Sequence, residues 1–156
     1  MTHHLPSDPV PDPVPVPGKG SATRSFDHER LDVYQTSLEF VGMASHLINR
    51  LPTGHSSLAQ QLYRAAMSIP LNIAEGAGEF SRKDKARFYR IALRSTTECA
   101  AILDVCKKLG LVEEQSLQPG RQLLLRIVAM LTAIARKLSG TGSGTGSGSE
   151  MNVKTA

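Results

Sequence analysis

The sequence predicts an all-α chain, an antiparallel up-down-up-down four-helix bundle with disordered N- and C-terminal tails. Three observations carry that prediction. Four consecutive segments place apolar residues three and four apart, the spacing of a helix with one buried face. The connections between them, around Thr53, Phe80 and Val112, are only a few residues long, so neighbouring helices must turn back on one another. No strand-like alternation or Asn-Gly hairpin signal interrupts the pattern.

The 156 residues divide into three parts. Residues 1–25 form a Pro-rich arm holding six of the nine prolines. Proline at every second or third position from Pro6 to Pro17 fixes φ and removes backbone donors, which favours an extended polyproline spacer. Residues 139–156 form a tail whose start, Ser139 to Ser149, holds only Ser, Gly and Thr; it buries too little apolar surface to offset its ordering entropy. Residues 26–138 are the bundle.

In the first helical segment Leu31, Tyr34, Leu38, Val41, Ser45 and Ile48 make the expected seam, with Asp27 as candidate cap and Pro52 beyond the end. The second opens at Ser56 or Ser57, where Ser57 and Gln60 match a capping box, and runs to Gly76 and Gly78. Pro70 lies inside it and predicts a kink between Ala66 and Pro70, with helix resuming afterwards. The third opens at Ser81, with Asp84 three residues on, and continues for about 28 residues to Gly110, roughly 42 Å. The fourth starts between Glu113 and Pro119 and carries Leu124, Ile127, Leu131, Ile134 and Leu138 at heptad spacing. From Leu123 to Ala135 its only polar residues are Arg126 and Thr132, and the first helix carries a second stripe, Val33, Phe40, Leu47, Ala44 and Leu51. Both excesses predict a homo-oligomer, since a lone bundle would expose them.

Catalytic chemistry is missing from the sequence, so no enzyme, no cofactor and no metal site is expected. No Glu has a His three residues later, as di-iron bundles require, and His28, His46 and His55 fall at unrelated phases. There is no nucleophile elbow, phosphate loop or dinucleotide fingerprint. Cys99 and Cys106 lie about 10 Å apart along one helix, beyond disulfide reach, and suit core filling. With two cysteines and no charged-then-apolar amino terminus, a reducing, cytoplasmic setting is expected. No apolar run approaches a membrane span.

The net charge of +4 favours polyanionic partners, and the bases are concentrated. From Arg82 to Arg94 six of them, Arg82, Lys83, Lys85, Arg87, Arg90 and Arg94, oppose one acid, Asp84. Lys83, Arg87, Arg90 and Arg94 step by four, three and four, so they share one helix face, with Tyr89 nearby. Such a row suits successive phosphates and gives salt-sensitive binding. Cations at a helix amino terminus oppose its dipole at about 0.3–1 kcal/mol each, a penalty a purely solvated face could avoid. A second feature is the polar stripe Gln61, Arg64, Ser68, Asn72 and Glu75 on the second helix, facing Ser95 and Glu98 on the third. These groups satisfy one another across the helix pair and relieve the backbone loss at Pro70; a Glu75/Glu98 carboxylate pair is the catalytic alternative.

Three stretches together resemble the four helix bundle proteins encoded by intervening sequences in bacterial 23S ribosomal RNA genes. They are Phe26 to Val41, Gln60 to Glu98 and the closing apolar helix, and the most specific element is S-I-P-x-N-I-A-E-G from Ser68 to Gly76. Within it Ser68, Pro70, Asn72, Glu75 and Gly76, with Ser95 and Glu98 on the next helix, make the structural signature. The resemblance implies an antiparallel bundle assembled into a ring-like homopentamer. It also points to the accessory proteins of diversity-generating retroelements, whose pentamers bind nucleic acid and a reverse transcriptase. On this chain the six bases from Arg82 to Arg94 would then form the RNA or DNA surface. The expected role is a non-enzymatic, oligomeric nucleic-acid-binding adaptor without base readout. The alternative is a protein-protein interaction scaffold with no nucleic-acid role.

Overall fold

A computed structural model describes residues 25–140; the Pro-rich arm up to residue 24 and the segment from residue 141 lie outside the described residues. A short 3-10 turn, Asp27–Arg30, leads into four α-helices: α1 (Asp32–Ile48), α2 (Ser56–Gly78), α3 (Arg82–Lys108) and α4 (Glu114–Ser139). There is no strand among the described residues. Each helix packs on the next and α4 closes back onto α1, while the diagonal pairs keep their backbones apart. Direction follows from cross-helix contacts. Gln61 reaches Glu98 and Lys85 reaches Ala77, so α2 and α3 run antiparallel. Arg82 meets the end of α4 while Asp104 and Lys107 pair with Arg121 and Glu114 near its start. Arg50 at the end of α1 donates to Ser116 near the start of α4.

The core is a single apolar cluster drawn from all four helices, with Phe40, Leu62, Ile69, Ile73, Leu103, Ile127 and Leu131 fully enclosed. Burying side chains of this size stabilises by about 1.5–3 kcal/mol each. Two small residues set how closely the helices approach. Gly120 of α4 faces Met43 of α1, where an added Cβ would lie 1.8 Å from the methionine Cε. Gly76 of α2 faces α3, where an added Cβ would meet Tyr89 Cε1 at 3.0 Å and Phe88 Cβ at 3.2 Å.

Helix boundaries agree closely with the sequence pattern at α3. Ser81 Oγ accepts from Asp84 N at 3.4 Å, and Gly110 ends the helix at φ +63°, with Leu111 N bonded to Cys106 O at 3.0 Å. Other expectations require correction. Asp27 starts the 3-10 turn instead of capping α1, whose N-cap is Leu31. The Ser57/Gln60 capping box does not form: α2 begins one turn position earlier, with His55 at the cap and no side-chain bond to it. As expected, α2 continues past Pro70, which is buried, to Gly78.

The phase of α1 is the largest correction. Its core face is Val33, Thr36, Ser37, Phe40, Ala44 and Leu47, the stripe expected to be outward. The expected seam lies at the edge instead: Leu38 and Ser45 are exposed, and Leu31, Tyr34, Val41 and Ile48 are half-buried. Thr36 and Ser37 read as polar in sequence, yet Ser37 Oγ donates back to Tyr34 O at 2.6 Å, so that face can be buried at little penalty.

The close approach at Gly76 is testable. Replacing it with Ala adds about 1 kcal/mol of helix propensity but forces a methyl against the Tyr89 ring and the Phe88 Cβ, where overpacking typically costs 1–3 kcal/mol. Gly76→Ala should therefore lower stability in urea by about 1 kcal/mol, whereas Gly78→Ala, with open space around it, should be neutral or slightly stabilising.

Candidate nucleic-acid interface

Helix α3 buries Ala86, Tyr89, Ala92, Ser95, Thr96, Cys99, Ile102, Leu103 and Cys106 against α2 and α4. The phase this imposes turns Lys83, Arg87, Arg90 and Arg94 outward, and all four are exposed. Four positions spanning Lys83 to Arg94 cover roughly 16 Å of helix axis. Among the described residues the ion pairs are Lys107 with Glu114 and Asp104 with Arg121, so none of the four is neutralised by a carboxylate. Arg87 leans over its neighbour Phe88, 5.9 Å from the ring centre, which holds the guanidinium on the surface without removing its charge.

The other two bases of the segment do different work. Arg82 Nη2 donates to Lys137 O at 2.7 Å and Leu138 O at 3.3 Å, the free carbonyls at the end of α4. Lys85 is half-buried, and its Nζ donates to Ala77 O at 3.4 Å, at the end of α2. Both cations therefore sit at helix C-termini, where the backbone dipole favours them. Tyr89 is also withdrawn from the surface: it is buried against Gly76, and burial pushes its phenol pKa up.

The signature residues converge at the α2–α3 seam. Ser95 Oγ lies 2.9 Å from Ser68 Oγ, Asn72 Nδ2 donates to Ser68 O at 2.8 Å and Ser68 Oγ at 3.0 Å, and Gln61 Nε2 donates to Glu98 Oε1 at 3.3 Å. Gly76 supplies the close contact with Tyr89 and Pro70 is buried behind the cluster. Asn72 thus directs its amide to Ser68, not to the Ala66 carbonyl that Pro70 leaves without its helical donor. Glu75 and Glu98 are not a pair. The contact of Gly76 with Tyr89 puts Glu75 near the level of Arg90, roughly 12 Å along the axis from Glu98. No group of three or more His, Cys, Asp or Glu side chains among the described residues could hold a metal ion, and no helix there is long and apolar enough to cross a membrane.

With this geometry described, comparison with known proteins is informative. The profile of a family described as 23S rRNA-intervening sequence protein matches residues 29–133, which takes in all four helices. The chain belongs to this family. A solved structure from Bacteroides thetaiotaomicron, a protein of unknown function from the S23 ribosomal protein family, superposes with a TM-score of 0.63. It is 24% identical and covers 67% of this chain and 98% of its own, so the likeness is one of fold. No curated protein matches the chain. The 23S rRNA-intervening sequence family and the likeness of fold agree on a helical bundle, and the outward row is left to be explained by its own chemistry.

The cysteines make a separate prediction. Cys99 and Cys106 are free and buried; burial, with a smaller contribution from the Glu98 charge, pushes the Cys99 thiol up to about 12, and burial also raises Cys106. Both should react with a thiol reagent only on unfolding. Because the unfolded thiol ionises first, near 9, the unfolded state binds fewer protons above that pH, and stability should fall as pH rises from about 9 toward 12. Urea midpoints measured across that range should decline in the wild type and decline less in Cys99→Ala.

Proposed function

We propose that this chain is a non-enzymatic, homo-oligomeric adaptor that binds the RNA or DNA backbone through α3, as a component of a ribonucleoprotein or retroelement complex. The observation that supports it is the row Lys83, Arg87, Arg90 and Arg94, exposed and without an acidic partner. A solvated helix face ordinarily interleaves acids with its bases; this one offers only cations along its outward line. Backbone contact of this kind releases counterions, so affinity falls with salt. The description of the family, 23S rRNA-intervening sequence protein, agrees with a nucleic-acid setting.

Self-association follows from the apolar surface elsewhere. On α2 Tyr63 and Leu71 are 56% and 58% exposed, with Met67 and Ala74 half-buried between and beside them. Leu38, Val41 and Ile48 of α1 are exposed or half-buried as well, and a largely apolar pocket is lined by Ile48, Ala59, Gln60, Tyr63 and Arg64. On α4 Leu125 is 56% exposed, above Ala129 and Ala133 one and two turns on. A ring needs two different faces on each subunit. The α1–α2 edge and the outer side of α4 supply two such faces. The competing role, a protein-interaction scaffold, uses the same edge for a different partner and leaves the bases idle.

Two measurements separate these roles. Labelled structured RNA and duplex DNA should bind with an affinity that drops steeply with salt, and Arg87→Glu/Arg90→Glu/Arg94→Glu should abolish that binding; binding indifferent to both changes removes the proposal. For a single strand the logarithmic salt slope is about 0.7 per phosphate contacted, so single Gln substitutions in the row should each flatten it by about that amount. Light scattering should give an oligomer for the wild type and a monomer of 16.8 kDa for Tyr63→Glu/Leu71→Glu.

A further inference from the structure

Beside the outward row, α2 and α3 diverge to leave a cleft of about 300 Å³ lined by Gln61, Arg64, Ala65, Ser68, Ser95 and Glu98. Its position comes from the fold: Ala65, buried, is too small to fill the space between the two backbones, and the polar side chains above it stand around the opening. The cleft begins where the row stops, because Glu98 is one helical turn beyond Arg94 on the same helix. A strand whose phosphates follow Lys83 to Arg94 is thereby led to it.

The hydrogen-bonding groups in the cleft are incompletely used. Glu98 accepts a single long bond, from Gln61 at 3.3 Å to Oε1, and has no cation within ion-pair distance. Asn72 Nδ2 donates to Ser68 Oγ, the one Ser95 hydrogen has both Ser68 Oγ at 2.9 Å and Ile91 O at 3.1 Å within reach, and Arg64 is exposed with no carboxylate partner. The cleft therefore offers a carboxylate that accepts, a Ser68–Ser95 hydroxyl pair that can turn a hydrogen toward an acceptor when Ser95 donates to Ser68, and a guanidinium that can stack on a ring or meet a phosphate.

We infer that this cleft receives one unpaired nucleobase of a strand bound along α3, and that it selects guanine. The inference rests on the nucleic-acid reading given above. Guanine alone among the four bases presents two adjacent N–H donors, at N1 and N2, to the two oxygens of a carboxylate, with an O6 acceptor beside them for a hydroxyl. Cytosine and adenine each offer one exocyclic amine next to acceptors, and uracil one ring N–H between two carbonyls. Unpaired bases are the ones a protein can read this way, since in a duplex these edges are already paired. Base preference would thus arise between two helices whose register brings Gln61 and Ser68 opposite Glu98 and Ser95, the facing polar groups expected from their spacing.

The test uses the full-length protein and short labelled uridine tracts carrying a single central guanosine, inosine or adenosine, read by fluorescence anisotropy at two salt concentrations. The guanosine tract should bind roughly tenfold more tightly than plain uridine or the adenosine tract, the discrimination typical of a bidentate contact. Inosine, which keeps N1–H and O6 but lacks the 2-amino group, should lose most of that gain. Glu98→Gln should remove the guanosine preference, with helical circular dichroism reporting its fold. Arg90→Glu should weaken every tract alike and flatten the salt slope. Equal binding of guanosine and uridine tracts to the wild type, full retention of the gain by inosine, or a preference that survives Glu98→Gln overturns the cleft assignment while leaving backbone binding in place. Failure of every tract to bind in a salt-dependent way overturns the backbone reading and the cleft with it.

Discussion

The fit of α3 against α2 is the constraint on which the rest depends. Gly76 lets the two backbones approach until Tyr89 and the Phe88 Cβ lie against the glycine, and the Ser68–Ser95 hydrogen bond fixes the same pair of helices two turns away. Two contacts on one seam set both the separation and the rotation of α3. Rotation matters more than separation here, because a helix turns 100° per residue and a small change of phase would carry Arg87 or Arg94 toward a neighbour. The family signature from Ser68 to Gly76 therefore acts on the surface indirectly, by deciding which side of α3 faces out.

The same antiparallel arrangement resolves the electrostatic objection raised by six cations near one helix N-terminus. The carboxyl ends of α2 and α4 lie beside the start of α3, and the two bases nearest them, Lys85 and Arg82, donate to their terminal carbonyls. A cation that is unfavourable for its own helix is favourable for the neighbour whose end it caps. Arg87, Arg90 and Arg94 lie past the first turn, where the dipole effect has faded, so only Lys83 of the outward row opposes it. The penalty expected from sequence is thus mostly absent, and the weight of the functional argument moves to the missing acidic partners.

Much of the fold was legible because helix order depends on local signals. Ser81 with Asp84, Gly110 and the run from Leu124 to Leu131 mark α3 and α4 through capping and periodicity alone. The phase of α1 was not legible, since Ser37 hides its hydroxyl on its own backbone and counts as wet in any hydropathy pattern, while Val41 and Ile48 count as dry at an edge that is half open. The Ser57/Gln60 pattern was present but idle, as the helix already starts before it. Of the candidate site, the row could be read from a spacing of four, three and four within one helix. The different duties of Arg82 and Lys85 could not, because their partners are 56 and eight residues away in sequence and become neighbours only through helix packing. The polar lining of the cleft was legible, since helical spacing sets Gln61, Arg64 and Ser68 on one stripe facing Ser95 and Glu98; the open space among them was not, because nothing local signals that Ala65 lies beneath.

Charge and apolar surface are segregated by this geometry. The row Lys83, Arg87, Arg90 and Arg94 belongs to α3 and the apolar edge to α1 and α2, with α1 diagonal to α3. Were the two surfaces interleaved, association would bury cations, and each desolvated charge without a partner would oppose assembly by several kcal/mol. Kept apart, the hydrophobic gain of association carries no such penalty, and every added subunit contributes another row of four unneutralised bases. Multivalency then does what four contacts on one helix do poorly. In the proposed ring a second row would meet the same polymer at a high effective concentration, and a weak, salt-sensitive contact per subunit would become strong binding. Without assembly the row of a single subunit would remain a marginal electrostatic site, which makes the burial of the apolar edge a precondition for the proposed role of the basic one.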